Sequence, residues 1–502
     1  MGSISTLNTV ILLVFLYVTA RSLGRKSLDR FPGPFLARWT TLYRMYYDLV
    51  KRGEWVEHIR KLHIIYGPIV RVGPNELHFS NPEAYNEIYA VGSKFSKDEA
   101  TYKPILGRGH VFAIIDPHEA MTRRAMVLPY FSRRSTLDRE RVLKQKVDEF
   151  VDMLVNNHGG GQSPLNLQET LRSFVGGLVP SFCFPDVDQY AELASSGLVS
   201  KVTEVPSGMF PWMFVKNLPV AVNQVLQHLA DTSKVLVASG EYSRVKELQA
   251  YGILIDDALD SPLSDVDEGN ENLCHPLLKR SINNRPEPAR NWLLSESLNV
   301  KYAGIDTTPN AAFVTIRGAL ADESIRKQLI QELTDVWPDL GGMAPGVLVL
   351  EKLPYLTAVI KEGIRLSIGI VSPMNRIVGP EDTMISGVSI PAGTTVGMAH
   401  SILHLNPDIF PNPHIFKPER WLQADSQRID KYFVAFGRGP RSCIGIHLAW
   451  SILYLSVANI FRRLDLFPTS MDDLHSSFRI KDEFVSVYEG KPIHIHAEAK
   501  KN

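Results

Sequence analysis

The run Phe436-Gly437-Arg438-Gly439-Pro440-Arg441-Ser442-Cys443-Ile444-Gly445 constrains this chain more than any other. Three glycines and a proline within ten residues exclude regular helix or strand and describe a tight loop, in which glycine lets the backbone approach a flat ligand closely. From Ile444 to Leu464 the residues Ile446, Leu448, Ala449, Ile452, Leu453, Leu455, Ala458, Ile460 and Phe461 recur with helical spacing. Cys443 therefore lies at a helix N-terminus, where free N–H groups and the helix dipole favour a thiolate. No second cysteine is near enough to complete a Cys-x-x-Cys pair, so the sulfur suits one open-sided metal ligand better than a zinc cage. A lone cysteine is more often a small buried hydrophobe. Here the spacing of its neighbours argues otherwise.

Phe436, Gly439, Arg441, Cys443 and Gly445 match, position by position, the haem-binding loop of the cytochrome P-450 family, which the chain resembles from about Phe31 to about Ile495. The resemblance implies a mainly α fold with small β-sheets, haem b as cofactor and Cys443 as its metal ligand. Further motifs follow in the family's order. Glu362 and Arg365 lie three apart on one helix face, and Pro418-Glu419-Arg420-Trp421 supplies a second arginine. By itself such a pair is a solvated surface contact; in the family, these three charges form a buried triad behind the haem loop. Within a helical stretch from about Arg290 to Leu320, the resemblance assigns Asp306 and Thr307 to proton delivery during oxygen activation, with Thr308 as a substitute and Gly304 leaving space above the metal. Thr307 could instead hydrogen-bond the carbonyl one turn back, and Pro309, which lacks an N–H, predicts a kink there.

Arg124, Arg376 and Arg441 are the expected partners of the haem propionates, since a guanidinium donates two parallel hydrogen bonds to a carboxylate. Arg123 competes with Arg124, and Ala120 stands where relatives commonly carry Trp or His. The stretch from Tyr102 to Ile115 falls at the family's variable substrate-contacting loop. Ile370, Val371 and Met374 are expected to face the distal pocket. Pro206 to Val215, rich in aromatic residues, matches either a loop over the access channel or a core segment.

The 502 residues carry 54 basic and 54 acidic side chains, a balance that gives no support to nucleic-acid binding. Length alone would divide the chain into about three domains, but no linker or repeat divides it, and the expectation is one haem domain over residues 31–502. Three scattered cysteines exclude a disulfide framework. Residues 1–30 read as a membrane anchor and its basic flank: Ile4 to Ala20 is uncharged, Val10 to Val18 is wholly apolar, and Arg21, Arg25, Lys26 and Arg30 follow. The apolar stretch is short beside the roughly 20 residues of a spanning helix, yet a cleaved signal would carry its charges on the other side. The positive-inside rule places the catalytic domain in the cytoplasm, and the resemblance places the single-pass anchor in the endoplasmic reticulum membrane.

The expected function is a haem-thiolate monooxygenase that inserts one oxygen atom from dioxygen into an apolar secondary metabolite. NADPH would supply electrons through NADPH-cytochrome P-450 reductase docked near Arg438, with cytochrome b5 as a second candidate donor. Segments around Leu353 to Ile360 and Pro391 to Val396 resemble fungal secondary-metabolite enzymes, including the trichodiene-oxygenase-like group, which points to a terpenoid. The same fold also supports oxygen-independent rearrangement or dehydration, or a non-catalytic haem partner.

Overall fold

A computed structural model describes residues 28–102, 109–158, 163–184, 251–256, 273 and 290–500. The expected anchor before Leu28 and the aromatic stretch 206–215 lie outside the described residues. Among those described, no helix is long and apolar enough to cross a membrane.

Helices dominate. The longer helices are α1 (Trp55–Tyr66), α2 (Pro82–Tyr89), α3 (Pro117–Val127), α4 (Glu140–His158), α5 (Leu167–Cys183), α6 (Arg290–Ala321), α7 (Glu323–Val336), α8 (Pro354–Ser367) and α9 (Ile446–Arg463). A five-stranded sheet of β1 (Ile69–Gly73), β2 (Glu76–Phe79), β3 (Ser96–Lys97), β4 (Arg376–Ile377) and β5 (Thr395–Gly397) has the order β1-β2-β5-β4-β3. Further along, β6 (Arg479–Glu483) and β7 (Val485–Glu489) form a hairpin whose tip residue, Phe484, has φ +73°. This is the mainly helical fold with small sheets that the sequence implies.

α6 runs through the centre, packed against α5, α8 and α9. Its buried residues, polar ones such as Glu296, Asn299, Asp306 and Asn310 as well as apolar ones, lie on most sides of the helix. It continues unbroken through Pro309, so the proline does not end it. Close crossing of α8 over α6 depends on Gly363, where a Cβ would sit 1.8 Å from the Thr315 hydroxyl oxygen.

α8 starts with Pro354 at its first turn, where a missing N–H costs nothing, and the Glu332 carboxylate of α7 accepts from the Tyr355 and Leu356 amides at 2.9 and 2.8 Å. It ends at Ile368, held at φ +46°, a left-handed conformation that is strained for a β-branched residue. That reversal turns the chain so that Gly369 lies against Thr307 of α6.

Glu362 and Arg365 are wholly buried in α8, joined by Arg420 from the loop before Cys443. Arg365 donates from Nε and Nη2 to the two oxygens of Glu362 at 2.9 and 2.7 Å. Arg420 Nε, Trp421 Nε1 and the Lys417 amide complete the carboxylate's donors at 3.0–3.1 Å. Arg365 Nη1 donates to the His404 carbonyl at 2.6 Å, and His404 Nε2 accepts the Val434 amide at 3.0 Å. Burial holds His404 well below the usual imidazole range, so it stays neutral and keeps that acceptor. The charge triad is thereby wired to the start of the cysteine loop.

Glu362→Ala should cost roughly 3–5 kcal/mol, because it strands two buried guanidinium groups. Trp421→Phe removes only one of the carboxylate's donors and should cost about 1 kcal/mol. Chemical denaturation of both variants checks the ranking, and equal losses would contradict a carboxylate-centred network.

Candidate active site

The segment Gly437 to Gly445 forms the expected loop, with a 3-10 turn over Gly439–Arg441. Gly439 has φ +68°, and a Cβ there would lie 2.2 Å from the Tyr89 carbonyl of α2, so only glycine lets the loop lie against that helix. The Cys443 amide donates to the Phe436 carbonyl at 2.7 Å, while the Phe436 ring packs against Phe433 and Trp450. Gly445 caps α9. Arg438, expected on a docking face, is instead half-buried and tied to Asn86 of α2 at 2.6 Å and to the Lys431 carbonyl.

Cys443 is surrounded by protein, yet the residue keeps an accessible surface, the combination expected of a group that faces an internal space. Burial pushes its thiol above the usual range, against the Gly445 N–H and the Arg124 guanidinium, which pull it down. Direct bonding to a metal ion outweighs the desolvation. Among the described residues, no group of three His, Cys, Asp or Glu side chains could hold a metal ion.

Beside the loop stands a cluster of four cations. Arg124 (α3) donates to the Ser442 hydroxyl at 3.4 Å. Arg441 reaches the carbonyls of Val111, Ile115 and Asp116 at 3.3–3.4 Å. Arg376 (β4) donates to the Tyr102 hydroxyl at 2.7 Å. The fourth, Lys97, is paired directly with Arg376 across the β3–β4 ladder. Like charges placed opposite each other in a sheet repel, and Lys97 is buried between the Tyr102 and Phe112 rings at 4.1 Å from each. Burial first, then Arg376, Arg441 and Arg124, drive its ammonium well below the usual lysine range. Arg441 is pushed down to about 10 by burial and by Arg376. Among the described residues, none of the four is ion-paired to a carboxylate. Such a cradle fits a buried dianionic ligand, and with a sulfur opening on the same interior it fits haem through its two propionates.

The structure settles some residues and moves others. Arg123 lies over the Trp292 ring and near Glu119, which leaves Arg124 as the member of the cluster. Lys97 was not anticipated; only its pairing opposite Arg376 reveals it. Gly304 does not make room above the metal: a Cβ on it would meet Val179 of α5 at 2.9 Å, so it serves the α5–α6 crossing. On α6, Ala303 is accessible and Thr307 half-buried, whereas Asp306 and Thr308 are buried. Each residue turns about 100° round a helix, so Asp306 and Thr308 flank the face that Thr307 presents. Asp306 is paired with Arg172 of α5 at 2.7 Å, and the Thr307 hydroxyl donates to the Ala303 carbonyl at 2.8 Å. A small apolar cluster completes the wall: Phe484 and Val485 from the β6–β7 hairpin, with Phe112, Ile370 and Met374. Val371, expected with them, packs into the core around the five-stranded sheet instead.

A model of the cytochrome P-450 family matches residues 32–489. The cytochrome P-450 monooxygenase flvC of Aspergillus flavus is 32% identical over 429 residues, covering 84% of this chain and 77% of its own. The monooxygenase tpcC of Cochliobolus heterostrophus is 30% identical over 492 residues, covering 92% of this chain and 90% of its own. Among solved structures, the haem domain of a cytochrome P-450DA mutant superposes with a TM-score of 0.71 at 15% identity, over 94% of this chain and 98% of that one. At that identity the likeness speaks for the fold alone.

Cys443→Ser should abolish the thiolate-type carbon monoxide difference band, while Cys183→Ser, at the buried C-terminal end of α5, should leave it intact. A band that survives Cys443→Ser would remove the metal ligand from this loop.

Proposed function

Because the chain belongs to the cytochrome P-450 family and is a haem-thiolate monooxygenase, we propose that it oxygenates an apolar, terpenoid-like secondary metabolite with electrons passed from NADPH through a reductase. The observation that carries the substrate class is the apolar wall of Phe112, Ile370, Met374, Phe484 and Val485, which reaches α6 where Gly369 touches Thr307. Haem, held by Cys443 and by Lys97, Arg124, Arg376 and Arg441, would supply dioxygen activation: one oxygen atom enters the substrate and the other leaves as water, consuming two electrons and two protons.

The residues of the chain orient and supply protons. Thr307 is the hydroxyl on the accessible face of α6, and breaking its bond to the Ala303 carbonyl frees it to donate into the cavity. Asp306 is its reserve of acidity, held one position back by Arg172 until that pair opens. Thr308 is buried on the far flank and takes no part. Electrons would enter from the side of the cysteine loop, with cytochrome b5 as a second donor.

We also propose that residues 1–30 anchor the chain in the endoplasmic reticulum membrane with the catalytic domain in the cytoplasm. Phe35, Leu36, Trp39 and Leu42, all exposed directly after that segment, support the reading, since such a patch is costly in water.

The deciding experiment incubates the purified enzyme, reductase and NADPH with candidate terpene scaffolds under labelled dioxygen. One labelled oxygen per oxidation step is expected in the product. Thr307→Ala should keep haem binding but lower product per NADPH severalfold, with hydrogen peroxide rising in step, and Thr308→Ala should change neither. Product formed at full rate without dioxygen would replace this reading with rearrangement or dehydration. Separately, deleting residues 1–27 should leave haem loading intact and reduce partition into membranes, with some binding retained through Phe35 and Trp39. Appearance of the full-length gene product as a cleaved, secreted form would refute the anchor.

A further inference from the structure

Residues 109–116 wall the cavity without regular secondary structure, so side chains from elsewhere must hold them in place. Their carbonyls face the cation cluster: Phe112 accepts from Lys97 Nζ at 2.6 Å, and Val111, Ile115 and Asp116 accept from Arg441 at 3.3–3.4 Å. On the other side, the Val111 amide donates to Glu296 Oε2 of α6 at 2.8 Å. We infer that Glu296 is the positioning residue of this loop, and that by holding Val111 it sets where Phe112 stands in the substrate pocket.

Four observations support the inference. Glu296 is 1% exposed, so it cannot be a surface carboxylate that meets the loop by chance. Its second oxygen accepts from Asn299 at 3.2 Å, one turn on, which fixes the carboxyl plane and aims the first oxygen at the loop. Glu296, Val300, Ala303 and Thr307 follow one another at helical spacing along a single stripe of α6. The contact therefore lies on the same helix face as the proposed proton donor. Finally, the Phe112 ring lies edge-on to Phe484 at 5.9 Å and to Tyr102 at 5.4 Å, so displacing Val111 moves the apolar wall itself.

Distance along the helix separates positioning from catalysis. Eleven residues at 1.5 Å each put Glu296 about 16 Å from Thr307, beyond any direct proton transfer. Burial pushes the Glu296 carboxyl up to about 7, with the Val111 amide, Asn299 and Arg123 of α3 pulling it back down. Near neutral pH both its charged and neutral forms are populated, and each offers an oxygen to the Val111 amide. Reach, rather than charge, is what the contact needs.

This inference rests on the reading of the cavity as the substrate site, but its test needs no turnover. In the haem-loaded enzyme, hydrogen exchange of residues 109–116 would be compared for Glu296→Gln, Glu296→Asp and Glu296→Leu. Gln keeps the length and an acceptor oxygen, so its exchange should match the parent. Asp keeps the charge but is one methylene short, and Leu has no acceptor. Both should speed exchange at Val111 by roughly tenfold to a hundredfold, the loss of one hydrogen bond to a buried carboxyl. The ratio of affinities for phenylimidazole and imidazole, read from the Soret band, should change in Asp and Leu and hold in Gln, because only the phenyl ring needs room beside Phe112. Should Leu fail to load haem, the Gln and Asp pair decides alone. Exchange unchanged in Asp, exchange raised in Gln but not Asp, or an affinity ratio indifferent to all three would each overturn the inference.

Discussion

One buried carboxylate organises the proximal half of this molecule. Glu362 accepts hydrogen bonds from Arg365, Arg420, Trp421 and the Lys417 amide in a place with no access to water. A charge so placed is tolerable only while its donors stay in register, because the desolvation cost is met by all of them together. That requirement ties α8 to the irregular segment between Asn412 and Trp421, which has little regular structure of its own. Through Arg365 and His404 the same network reaches Val434, and from there the loop that presents Cys443. A segment poor in helix and strand is thus positioned by polar bonds together with the packing of Phe410, Trp421 and Val434 into the core.

The site has the opposite electrostatic character. Lys97, Arg124, Arg376 and Arg441 crowd together with carbonyls, hydroxyls and aromatic rings around them, and among the described residues none of them is ion-paired to a carboxylate. In isolation that arrangement is unfavourable, as the downward pressure on Lys97 and Arg441 shows. A bound dianion relieves it, so ligand binding and local stability are coupled: the same charges that destabilise the pocket hold the cofactor. The thiol follows the same logic, since burial opposes its ionisation until a metal ion outweighs the desolvation.

α6 separates the chemistry from the scaffold. Its accessible stripe carries Ala303 and Thr307, its α5 side carries the Asp306–Arg172 pair and the close approach at Gly304, and its α8 side carries Thr315 beneath Gly363. One helix therefore offers a hydroxyl to the cavity while its acidic neighbour is stored among buried charges. The strained turn at Ile368 brings Gly369 and Ile370 to that face, and the β6–β7 hairpin closes the wall from the opposite direction.

Elements whose logic is local could be read from the residues alone. The loop around Cys443 was legible because Gly439 and Pro440 leave the backbone few alternatives, and α9 and α6 because helical spacing repeats over many turns. Family resemblance added the pairing of Glu362 with Arg365 and Arg420. Contacts between distant segments were decided only by the tertiary structure. Lys97 gives no sign of its place, since its meaning comes from standing opposite Arg376, 279 positions away, in a two-residue ladder. Gly304 reads as space above a metal until its neighbour proves to be Val179, and Asp306 reads as a free acid until Arg172 is seen beside it. Phe484 and Glu296 acquire roles only when the hairpin and the loop at Val111 arrive. Periodicity and turn chemistry act over a few residues, whereas the partner of a buried charge is chosen by the packing of the whole chain.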